Sequence, residues 1–115
     1  VVVERMHAGM WEHAMWIRGY EQSLIYMATD PAFVHAIMSK ELESTMAYRG
    51  RVLDLLDERR LVLSTADDLG TQTRPLVSLA MYKDLIWPYH RRLFHFLKSR
   101  ALTETFIFFH RDGAI

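Results

Sequence analysis

The sequence predicts an α/β fold built on parallel strands, and three observations carry that expectation. Short apolar runs at residues 1–3, 61–66 and 105–109 recur along the chain, with the length and the β-branched or aromatic content of buried strands. Between them lie longer segments whose apolar residues return at helical spacing. The resulting order of strand, helices, strand, helices, strand favours a parallel sheet with right-handed crossovers over an all-helical or all-β arrangement.

Each element has a local reason. Val1-Val2-Val3 reads as the tail of a buried strand; His7-Ala8-Gly9 makes a loop, and residues 10–27 are helix-compatible throughout. Thr29-Asp30-Pro31 is a helix start, with Asp30 as N-cap and Pro31 at the first helical position, where a missing N–H costs nothing. The apolar stripe of this longest element runs through Val34, Met38, Leu42 and Met46, then Leu53 and Leu56 after a drift past Arg49 and Gly50. The run at 61–66 opens into Asp67-Asp68-Leu69-Gly70, as a parallel strand opening into a polar loop. Ser78 caps a short helix through about Ile86, Pro88 restarts the chain, and a second helix over 89–100 turns Leu93, Phe96 and Leu97 inward. Thr105-Phe106-Ile107-Phe108-Phe109 is the last strand, ending in His110-Arg111-Asp112-Gly113.

Composition narrows the function classes. The chain has 115 residues, half of them hydrophobic and 12% aromatic, enough for one core and too apolar for a disordered tail. Fourteen basic residues balance fourteen acidic ones, so nucleic acid and anionic membrane are not expected partners. No apolar run approaches the ~20 residues of a membrane span. The absence of cysteine excludes disulfides and thiolate ligands within the chain and fits a cytoplasmic protein. A single domain over 1–115 is expected, and its partner is expected to be a small-molecule substrate.

Two strand ends present the polar groups: Asp67, Asp68 and Gln72 after one, His110 and Asp112 after the next. Consecutive parallel strands put such ends on one rim, where carboxylates accept protons or orient an N–H-bearing ligand and an imidazole does acid–base work. The spacing equally fits a solvated loop in which the aspartates cap a turn and Gly70 takes a positive φ. His110-x-Asp112 supplies two metal ligands without a third. Trp16 and Arg18 can clamp an anion near a strand end, or the arginine can cover tryptophan on the outside. His7, His13, His35, His90 and His95 share no ligand spacing and are read as surface or packing residues.

Taken together, Trp16-Ile17-Arg18-Gly19-Tyr20-Glu21, Asp30-Pro31-Ala32-Phe33-Val34, Asp67-Asp68-Leu69-Gly70-Thr71-Gln72 and Phe108-Phe109-His110-Arg111-Asp112-Gly113-Ala114-Ile115 resemble the uroporphyrinogen decarboxylase superfamily over nearly the whole chain. The resemblance implies a partial (β/α)8 TIM barrel of roughly three parallel strands with intervening helices, since a whole barrel needs ~250 residues. It implies a parent enzyme that decarboxylates a carboxylated tetrapyrrole without a cofactor. The alternative within the superfamily is a corrinoid-linked methyltransferase using zinc, although its His-x-Cys-Gly motif stands here as His110-Arg111-Asp112-Gly113. By motif position, Asp68 and His110 would be catalytic, and Asp67, Gln72, Asp112, Trp16 and Arg18 would bind substrate. The third alternative is a non-catalytic fragment: the isolated chain is expected to be inactive, and its open sheet edges to favour self-association.

Overall fold

The computed structural model describes residues 2–5, 9–56, 61–70, 73–100 and 105–112. Strand β1 (Val2–Arg5) leads to helices α1 (Met10–Arg18), α2 (Tyr20–Thr29) and α3 (Pro31–Leu55), followed by β2 (Leu61–Asp68). A short helix α4 (Leu79–Met81), a π-helical segment (Tyr82–Ile86) and helix α5 (Trp87–Arg100) follow one another without a break, and β3 (Thr105–Asp112) is the last element. The strands form an open three-stranded sheet in the order β1-β2-β3, parallel throughout, with Val3 opposite Val62 and Val62 opposite Phe106. The expected α/β class with parallel strands is therefore observed.

Burial separates the two sides of this sheet. In β2, Leu63, Thr65 and Asp67 are buried, whereas Val62, Ser64, Ala66 and Asp68 are half-buried, which is the period-two alternation of a strand packed on one face. The covered face meets a helical core in which Met10, Trp11 and Met15 of α1, Val34, Met38 and Leu42 of α3, and Leu93 and Leu97 of α5 are buried. On the other face Val3 is 63% exposed and Phe106 and Phe108 are each 57% exposed.

One charged pair lies within the covered layer. Arg49, 1% exposed, reaches from α3 to the Glu4 carboxylate on β1 and donates to the Ser64 carbonyl at 3.2 Å. The pair ties the long helix to two strands, and removing either partner would leave the other charge buried.

Local chemistry explains where the elements begin. The Asp30 carboxylate accepts the Phe33 N–H at 3.1 Å, with Pro31 in the first turn, and Ser78 accepts the Met81 N–H at 3.1 Å. Two expectations need correction. The helix over 10–27 is broken at Gly19, which adopts φ +86°, a conformation open to glycine and strained for other residues. Among the described residues this is the left-handed glycine, while Gly70 pairs with Pro75 in an isolated antiparallel bridge. Pro88 does not restart the chain. It sits in the first turn of α5, where the preceding π turn, closed by the Trp87 N–H on the Tyr82 carbonyl, widens the helix and absorbs the hydrogen bond that proline cannot make.

Candidate functional site

The C-terminal end of β2 places two neighbouring carboxylates in different surroundings. Asp67 is 1% exposed and turns into the helical layer. Its Oδ1 accepts the N–H of Glu12 at 2.8 Å and of Asp68 at 3.1 Å. Its Oδ2 lies 3.2 Å from the Trp11 N and 2.7 Å from His90 Nε2. Helix α1 starts at Gly9, which has no side chain to cap it, so Asp67 supplies the cap from 55 residues away and sets its negative charge against the positive end of the helix. Glycine is required there because a Cβ on Gly9 would stand 2.2 Å from the Ala66 carbonyl oxygen and 2.4 Å from the Asp67 carboxyl carbon.

Behind Asp67 the polar chain continues. His90, 2% exposed, meets Asp67 with one ring nitrogen and the Tyr82 hydroxyl with the other, at 3.1 Å. Phe94 and Phe109 pack on the imidazole with ring centroids 6.0 and 5.3 Å away. In an unbroken α-helix, residues eight apart point about 80° away from each other. The extra residue of the π turn takes up one step of about 100° and returns Tyr82 and His90 to one side. Tyr82 also lines a cavity of about 280 Å³ with Leu69, Pro75, Val77, Ser78, Leu79 and Phe109.

Asp68 belongs to the other side of the strand. It is half-buried, and its negative charge stands near enough to the Tyr20 phenol at the start of α2 to act on it. Partial burial of Tyr20, then the negative charges of Asp68 and Glu12, hold the phenol above the ordinary tyrosine pKa. Rim residues of β1's following helices and of β2 thus share one acidic, phenol-bearing cluster. In register, Ala66 stands opposite His110 and Asp68 opposite Asp112, and the His110 side chain is exposed.

The remaining sequence-derived candidates are scattered. Trp16 is exposed on α1, in edge contact with His13 at 6.1 Å between centroids. Arg18 is engaged by the helices that follow: it donates to the Tyr26 hydroxyl at 2.5 Å and lies over the rings of Tyr26 and Phe33 at 5.3 and 5.5 Å. Gln72 lies outside the described residues. Among the described residues, no group of three or more His, Asp or Glu side chains is arranged to hold a metal ion, and no helix is long and apolar enough to cross a membrane.

The sequence reads His90 as a surface or packing residue and gives Tyr82 no role in a site. Their pairing depends on a π turn, and the one local hint, Pro88 inside an otherwise helical pattern, reads as a break rather than as a widened turn. No protein-family model, no curated protein and no solved structure matches this chain, so the resemblance to uroporphyrinogen decarboxylases rests on the residues quoted for it.

Proposed function

We propose that this chain contributes three strands and their helices to a (β/α)8-barrel enzyme similar to uroporphyrinogen decarboxylase, acting on a carboxylated, tetrapyrrole-like substrate at the C-terminal ends of the strands. The observation that carries the reading is the one-sidedness of the sheet. Strands in sequential parallel order, with helices against one face and Val3, Phe106 and Phe108 exposed on the other, have the construction of a singly wound barrel wall. A doubly wound sheet instead reverses its strand order and covers both faces. In this reading the exposed apolar face is the barrel interior, and Asp68, Tyr20 and His110 stand at its catalytic mouth.

The chemistry suits that rim. Decarboxylation of an acetate arm begins when a proton adds to the pyrrole ring and makes it an electron sink. The bond from the ionised carboxyl group to the methylene carbon then breaks, its electron pair flows toward the ring and carbon dioxide leaves. The methylene carbon then takes up a proton to become methyl, and the ring gives back the proton it gained. Asp68, beside Tyr20, would accept pyrrole N–H groups and stabilise the developing positive charge. His110 would supply an imidazole, the side chain suited to moving protons near neutral pH.

The test is carbon dioxide release from an acetate-bearing porphyrinogen by the protein that contains this chain. Release by the unmodified protein, and its loss by about a hundredfold or more in a folded Asp68→Ala variant, is the expected result. No release, or full activity of the variant, overturns the reading. Stoichiometric zinc with methyl transfer to a thiol would assign the chain to the other branch.

A further inference from the structure

We propose that His90 is a positioning residue for the rim: it holds the Asp67 carboxylate from inside the helical layer, and through Asp67 it sets the backbone of Asp68 and the start of α1, where Glu12 stands. The importance of that placement rests on reading Asp68 as a site residue, while the geometry stands by itself.

An ionised carboxylate has about four acceptor positions and no donor. Asp67 fills them with the N–H groups of Glu12, Asp68 and Trp11 and with His90 Nε2. Three of these donors are backbone groups of the rim itself, so they are what Asp67 organises. His90, on α5, is the side-chain donor among them, and at 2.7 Å it makes the shortest of the four contacts. It is therefore the group that fixes the carboxylate's rotation from outside.

The tautomer follows. Because Asp67 only accepts, the proton of a neutral His90 ring must sit on Nε2, leaving Nδ1 to accept the Tyr82 O–H at 3.1 Å. Phe94 and Phe109 hold the ring in that plane, and the π turn puts Tyr82 where it can serve Nδ1. A histidine that merely filled space could be replaced by any side chain of similar shape. A positioning histidine needs a donor at Nε2.

Two measurements on the full chain decide this. Nitrogen-15 imidazole NMR of the unmodified protein at neutral pH should show His90 as the Nε2–H tautomer, with Nδ1 shifted as a hydrogen-bond acceptor and the ring proton slow to exchange. An Nδ1–H tautomer overturns the proposal. Amide hydrogen exchange should then be compared in His90→Leu, which fills the space without donating, and His90→Gln, whose amide N–H can reach Asp67. In the leucine variant the amides of Trp11, Glu12 and Asp68 should exchange about tenfold faster while those of Met38 and Leu42 in α3 keep their rates, and glutamine should restore the rim. Unchanged rim amides in the leucine variant, or no rescue by glutamine, overturns it. If the leucine variant fails to fold, the tautomer and the glutamine variant still give the answer. Neither readout involves a substrate, so inactivity toward porphyrinogens would contradict the proposed reaction and leave this result standing.

Discussion

The two faces of one three-stranded sheet do different work, and adjacent residues show it twice. On β1, Glu4 meets buried Arg49 while Val3 is 63% exposed. On β2, Asp67 is enclosed by α1 and His90 while its neighbour Asp68 meets Tyr20. Alternation along a strand separates each pair. The covered face uses Glu4 and Asp67 to hold helices to strands, whereas Asp68, on the open face, stands at the C-terminal rim. Charge type does not predict role here; the face does.

Substitution at neighbouring positions is the sharpest way to break that contrast. The largest effect is expected at β1. Glu4→Ala leaves the Arg49 guanidinium buried with the Ser64 carbonyl and should cost on the order of 3–5 kcal/mol in denaturant unfolding. Val3→Thr, one residue away on the open face, should change stability by no more than about 0.5 kcal/mol. Equal losses at the two positions would remove the distinction between faces.

A smaller effect is expected at the rim. The raised pKa of Tyr20 means that the folded protein retains a proton that the unfolded chain begins to release near pH 10. Its contribution to stability is therefore complete below that pH and is lost as pH rises through and beyond it. Asp68→Asn removes a negative charge, so Tyr20 should ionise at lower pH than in the unmodified protein, though still raised by its partial burial and Glu12. Tyrosinate absorbance, with Tyr20→Phe as the subtraction control, reads the shift; an unchanged midpoint would detach Tyr20 from Asp68.

Much of the framework was legible from local chemistry. Asp30 with Pro31, and Ser78, announce helix starts because capping is a contact within three residues. The strands were visible as apolar runs, and their parallel pairing followed from the helices between them. What escaped depends on contacts distant in sequence or on backbone geometry. Arg49 interrupts an apolar stripe and looks like a drift toward solvent until Glu4, 45 residues earlier, is brought beneath it. Gly19 breaks a segment whose side chains are helix-compatible on both sides, and only its positive φ marks the junction.

The candidate site was legible as a location more than as a set of roles. The sequence put Asp67, Asp68, His110 and Asp112 at neighbouring strand ends, and the register places Asp68 opposite Asp112 and Ala66 opposite His110. It put both Asp67 and Asp68 on the substrate side, because the face each one takes depends on which side of the sheet the helices cover. Tyr20 stands within the Trp16–Glu21 motif without a role assigned to it there, and His90 lies outside the motifs; the break at Gly19 and the π turn bring them to the rim.

Thermal unfolding of Asp67→Ala and Asp68→Ala, side by side, separates a fold carboxylate from a site carboxylate. Asp67→Ala strips the cap from α1 and leaves His90 without its acceptor, so its midpoint should fall by about 10 °C or more. Asp68→Ala should unfold within about 2 °C of the unmodified protein. Equal falls, or a larger fall for Asp68→Ala, would contradict the assignment of one carboxylate to the fold and the other to the site.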